Sequence, residues 1–176
     1  MQITQELLKE NLSYNQESGF FIRIKKTANS VNIGDIAGTL HSDGYIYISV
    51  IGKKIPAHRL AWLYVYGSFP NNEIDHINGI KNDNSLINLR EATRLENMQN
   101  QRKAHKDNPT GLLGVSFNKK LMKFTAQIHI NGKQKKLGVF DTKESAYLSY
   151  LEAKNNIHKF NTIQIINNSK NNTEDL

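Results

Sequence analysis

Two Asn-Gly pairs, Asn78-Gly79 and Asn131-Gly132, fix where this chain reverses direction. Such pairs accept the left-handed backbone of a tight turn and mark hairpins when strand-like runs flank them. Before the first, Glu73-Ile74-Asp75-His76-Ile77 predicts a strand. A polar loop, IKNDNS, follows, and Leu86-Ile87-Asn88-Leu89-Arg90 predicts a second short strand. Thr93-Arg94-Leu95-Glu96 is a capping box, which predicts a helix from near Thr93 to about Lys103. Around the second pair, Lys123–Ile130 and Gln134–Phe140 predict two strands, and Leu113–Asn118 a third. Asp141-Thr142-Lys143-Glu144 is another capping box. The helix behind it places Ala146, Tyr147, Tyr150, Ala153 and Ile157 on one face.

Upstream, residues 1–56 read as β-rich. Phe20–Ile24 and Gly44–Val50 predict strands, Ile51-Gly52-Lys53-Lys54 a turn, and Ile55 the start of a return strand. AHRLAWLYVYG predicts a short, mostly apolar helix ending at Gly67 as its C′ residue, with Trp62 in the core. The expected class is α+β: a β-rich N-terminal part with a strand–loop–strand–helix core, then a small three-stranded antiparallel sheet packed on one helix. The expected domains are 1–104 and 111–162, with a linker at 105–110 around Asn108-Pro109 and a frayed, Asn-rich tail at 163–176.

Composition narrows the chemistry. The chain has no cysteine, which excludes disulfides, thiolate zinc sites and thiol nucleophiles. No apolar run approaches the roughly 20 residues of a membrane span, and the first residues lack the pattern of a secretory signal. A soluble, cytoplasmic protein is expected. The net charge of +7 is unevenly spread: residues 90–140 hold 11 Lys+Arg against 3 Asp+Glu, and the rest is nearly balanced. A localised excess of this kind suits phosphates, although a solvated Lys-rich surface has the same composition.

Asp75-His76 with Asn88 and Asn97 is the group that carries chemistry. Hydrolysis of an anionic phosphodiester needs a cation on the phosphoryl oxygens and a base for the attacking water. Asp75 and Asn97 offer hard oxygen ligands for magnesium or manganese, and His76 offers a base near neutral pH. Asn88 is placed to pin the preceding loop. Neighbours in a regular strand point to opposite faces, so Asp75 and His76 share one site only where the strand twists or ends. On residue chemistry alone, a catalytic pair and a surface turn are equally compatible with this stretch. His58, at the start of a predicted helix, reads as structural ahead of a DNA contact. His41, His105, His129 and His158 have no partner that the sequence identifies.

The segment His58-Arg59-Leu60-Ala61-Trp62, with Tyr66-Gly67, Ile74–Gly79, Asp83-Asn84, Asn88-Leu89-Arg90, Ala92-Thr93, Asn97 and Asn100, resembles phage HNH homing endonucleases. It is closest to the type whose last ligand is Asn. The resemblance covers about residues 14–102. It implies a ββα-metal (His-Me finger) fold, a divalent ion (Mg2+ or Mn2+) on Asp75 and Asn97, water activation by His76, and Asn88 as a brace. It further implies DNA ends carrying 5′-phosphate and 3′-hydroxyl, and a cytoplasmic place in a bacterial host.

Downstream, Gly111–Val115, Lys123–Ile128, Leu137–Phe140 and Ser145-Ala146-Tyr147 resemble the ethylene-response-factor (APETALA-type) DNA-binding domain. Such a domain lays its sheet in the major groove of double-stranded DNA. Phe124 stands where the family has Trp, and Ser116-Phe117-Asn118-Lys119 replaces its Arg-x-Arg. By alternation Lys119, Lys123, Thr125, Gln127 and His129 share an exposed face, while Lys133, Lys135 and Lys136 are candidates for phosphates, as are Arg90, Arg94 and Arg102. A non-catalytic DNA-binding regulator that keeps the nuclease fold is the alternative. An RNA-binding module is disfavoured, since exposed strands lack stacked aromatics. Monomer and homodimer both remain open.

Overall fold

The computed structural model describes residues 2–163, so most of the expected tail lies outside the described residues. The fold is mixed α/β, with several small antiparallel sheets and four helices among the described residues. It divides into two compact units between Met98 and Gln99.

The first unit opens with a helix the sequence reading missed, α1 (Gln5–Asn11), whose N-terminus is capped by Thr4 Oγ1 accepting from Leu7 N. At seven residues it is too short to show a clear helical period. Strands β1 (Leu12–Tyr14), β2 (Phe21–Arg23) and β3 (Ile36–Ala37) form one sheet in that order. Strands β4 (Thr39–Leu40), β5 (Ile46–Val50) and β6 (Lys53–Pro56) form a second. The β5–β6 turn is only Ile51-Gly52, both with positive φ, so the return strand begins two residues before Ile55. Helix α2 (Ala57–Tyr66) ends at Gly67, whose φ of 80° is the left-handed C-cap expected there. Its buried residues Ala57, Leu60, Ala61 and Leu63 join Leu8, Leu12, Phe21, Ile48 and Ile74 in one core.

Strand β7 (Glu73–His76) then pairs antiparallel with β8 (Leu89–Ala92). The strand expected over 86–90 forms only from Leu89 onward. Leu86–Asn88 form a turn of 3-10 helix, closed by Asn88 N donating to Ser85 O at 3.0 Å, because Asn88 turns inward to bond the loop before it. Helix α3 (Arg94–Gln99) is shorter than expected. Its capping box is formed: Thr93 N donates to Glu96 Oε2 at 2.8 Å and Glu96 N to Thr93 Oγ1 at 3.3 Å.

In the second unit β9 (Val115–Asn118), β10 (Lys123–Ile130) and β11 (Lys133–Phe140) form an antiparallel sheet with β10 central. Helix α4 (Lys143–Ile157) covers one face. Its cap is Thr142, whose Oγ1 accepts from Ser145 N at 3.1 Å, rather than Asp141. The helix buries Ala146, Tyr150, Leu151 and Lys154, while Ile157 stays 37% exposed. Lys154 is a buried cation: its Nζ donates to the Gln101 carbonyl and lies 5.7 Å from the Tyr150 ring centre. Burial, with Arg102 nearby, pushes its pKa down to about 8.

Candidate functional site

Strand register decides what meets what. Asp75 lies opposite Arg90, and His76 opposite Leu89. Alternation puts Glu73 and Asp75 on one face of β7, Ile74 and His76 on the other, and β7 ends at His76, the condition under which Asp75 and His76 can serve one site. Both Asp75 and His76 are buried, at 5% and 4% exposure.

On the first face, Arg90 Nε and Nη2 both donate to Asp75 Oδ2, at 2.8 and 2.6 Å. Asn97 Nδ2 donates to Glu73 Oε2 at 2.7 Å, which places the first turns of α3 beside the same face. Glu73 was not singled out in the sequence. Its position two residues before Asp75 was the available signal.

On the other face, His76 packs into a ring cluster. The His58 ring lies edge-to-face with it at 5.1 Å between centres, and Tyr45 sits 5.1 Å from His58 and 5.8 Å from His76. His76 Nε2 meets Asn84 Oδ1 at 3.4 Å, which favours the tautomer with its proton on Nε2. Burial lowers the His76 pKa, outweighing Asn84 and the carboxylates of Asp75 and Asp83, so the imidazole is neutral near pH 7. His58 is pushed to about 3, chiefly by burial and secondarily by His76, and its Nδ1 is buried without a hydrogen-bond partner. Tyr45 lies far from His76 in sequence, and no local motif pointed to it.

Asn88 knits the intervening loop. Its Oδ1 accepts from Asn78 N and its Nδ2 donates to Asp83 O, each at 2.8 Å. Asn78 Nδ2 donates to Asp83 Oδ2 at 2.6 Å, and Ser85 Oγ to Asp83 Oδ1 at 2.7 Å. Burial of Asp83 is outweighed by its bonds from Ser85 and Asn78, and its pKa lies below the ordinary value. The loop so fixed delivers Asn84 to His76, and Tyr14 Oη anchors it by donating to Asn84 O at 2.7 Å.

Among the described residues, no group of three or more His, Asp or Glu side chains is gathered as a metal cage. The donors around the Asp75 face are the Glu73 and Asp75 carboxylates and the Asn97 carboxamide. These hard oxygens fit magnesium or manganese, which bind through few protein ligands and keep several waters.

The second unit offers a separate basic surface. With Ala126 and Ile128 facing α4, Thr125 and Gln127 face outward. They line an open depression of about 610 Å³ with Ser116, Asn118, Lys119, Lys120 and Lys136. Lys123 Nζ pairs with Asp141 Oδ1 at 2.8 Å. Lys135 and Lys133 lie opposite Ile128 and Ile130, so register sets them apart from Lys136, which lies opposite Gln127. Arg94 is exposed at the start of α3, and Arg102 Nη2 donates to Thr162 Oγ1.

A short antiparallel hairpin with a buried Asp-His pair, followed by a capped helix carrying an amide, defines a compact candidate hydrolytic site. Residues 56–99 match the family model of HNH endonucleases, a span that includes α2, β7, β8 and most of the site. The match supports an HNH nuclease, hence a hydrolase with DNA as substrate. No curated protein and no solved structure matched the chain. Among the described residues, no helix is long and apolar enough to cross a membrane.

Proposed function

We propose that the chain is a divalent-metal-dependent DNA endonuclease whose β7, β8 and α3 form a ββα-metal core. The buried His76 beside Asp75, met by Asn84 within the HNH-matching segment, carries this reading. A general base must be unprotonated at working pH, and burial supplies that condition. With its proton on Nε2, His76 has Nδ1 as the basic nitrogen to take a proton from the attacking water. Asp75 and Asn97 would hold Mg2+ or Mn2+, which supplies Lewis-acid stabilisation of the phosphoryl charge and the departing 3′ oxygen. Asn88 positions the loop that steadies His76 through Asn84. The products are 5′-phosphate and 3′-hydroxyl ends. The outward face of β9–β11, in the manner of the ethylene-response-factor domain, binds the duplex, with Lys119, Lys120, Gln127 and Lys136 as its centre.

The test is incubation of supercoiled plasmid with the protein and Mg2+ or Mn2+, with and without chelator. Metal-dependent nicking or linearisation is expected, with His76→Ala losing at least about 100-fold in rate while still binding duplex. Duplex binding with no cleavage under any metal would select the non-catalytic regulator instead.

A further inference from the structure

We infer that Arg90 is a built-in rival of the divalent cation: it holds Asp75 until a substrate phosphate draws its guanidinium away. This rests on the proposed role of Asp75 as a metal ligand. Two of Arg90's donors, Nε and Nη2, converge on one oxygen, Asp75 Oδ2. The pairing is set by the sheet itself, since Asp75 and Arg90 are direct cross-strand partners. A carboxylate only 5% exposed needs a positive partner, and Arg90 supplies it. A divalent cation at Oδ2 would meet the guanidinium at the same atom, two positive charges in a site with little water to screen them. Arg90 must leave Oδ2 for a cation to take it.

Arg90 is built to leave. Its side chain is 24% exposed, so a ligand arriving from solvent can reach it while Asp75 stays covered. The planar guanidinium fork binds a phosphate as well as a carboxylate. When Arg90 turns to a DNA phosphate, Asp75 loses that counter-charge at Oδ2, and the oxygen is opened to a cation. Metal and DNA then bind with positive coupling, each raising the other's affinity by the same factor. Without DNA the centre binds metal weakly, which keeps it idle.

The experiment titrates the full chain with Mn2+ alone, read by electron paramagnetic resonance. Arg90→Gln should bind Mn2+ at least tenfold more tightly than the wild type, and Asp75→Asn should lose the site. Arg90→Lys keeps the charge but not the fork and should tighten binding severalfold, which decides the matter if the Gln variant does not fold. In a His76→Ala background, which spares the DNA, adding a duplex should tighten Mn2+ binding when Arg90 is present and do little in its Gln variant. Loss of the site in Asp75→Asn with no tightening in either Arg90 variant overturns this inference alone. A duplex without effect on Mn2+ affinity overturns the exchange. Mn2+ binding indifferent to Asp75→Asn overturns the metal assignment and the inference with it.

Discussion

Gly19→Ala tests how far the candidate site depends on residues remote from it in sequence. Gly19 has φ +74°, and a Cβ there would stand 2.3 Å from both the Asn84 carbonyl carbon and the Ser85 nitrogen. These are backbone atoms, so the chain must shift by roughly an ångström to restore ordinary contact. The left-handed backbone alone costs an L-residue about 1–2 kcal/mol. Forcing the 84–85 backbone aside adds about 1–3 kcal/mol of overpacking. Gly52→Ala separates the two contributions, since Gly52 has φ +71° with nothing within 4 Å of its Cβ position. Denaturant melts should show Gly19→Ala less stable than Gly52→Ala by the overpacking difference. The shift also moves Asn84 against His76, and an ångström of misplacement costs on the order of 100-fold in rate. Plasmid nicking should therefore fall sharply in Gly19→Ala and barely in Gly52→Ala. Equal stability and equal nicking in the two variants would refute the reasoning.

Two further outcomes are expected. Because His58 titrates near 3 in the folded chain against 6.5 ordinarily, the unfolded chain binds the proton first as pH falls. Stability should drop from about pH 6.5 down towards 3, by up to about 1.4 kcal/mol per pH unit for this group. His58→Phe should flatten that slope in melts taken across the window, and an unchanged slope would exclude His58 as its source. Replacing Lys119, Lys120 and Lys136 together with Gln should reduce the dependence of log affinity for duplex on log salt by roughly 2–3. An unaltered salt slope in filter-binding or anisotropy titrations would remove the sheet face from the DNA contact.

Local chemistry made much of the fold legible. Gly67 ends its helix, the Thr93 box caps its own, and Asn131-Gly132 reverses β10 into β11, because each effect acts within a few residues. Helix α1 was missed because its burial comes from partners such as α2, and length gave no periodic signal. Asn88 was foreseen as a brace, yet its backbone lies in a 3-10 turn, since its carboxamide serves loop atoms that no strand pattern encodes. The alternation of β7 was legible and does set Asp75 and His76 on opposite faces. What each meets there was not. Arg90, Glu73, Tyr45 and Asn84 reach the pair through register and loop closure. The same holds for Lys154, a charge on the covered side of α4 that a hydrophobicity pattern assigns to solvent.

The two hydrophobic cores have a consequence for descent. Among the described residues, one cluster is drawn from Ile3 to Leu89 and the other from Leu112 to Ile163, with no shared member. Neither core has to be repacked when the other's sequence drifts. A lineage can therefore change the surface of the small sheet, or trade the whole sheet-and-helix unit for another, while the hairpin holding Asp75 and His76 keeps its packing. Selection for a new target and selection for preserved chemistry then act on separate sets of residues.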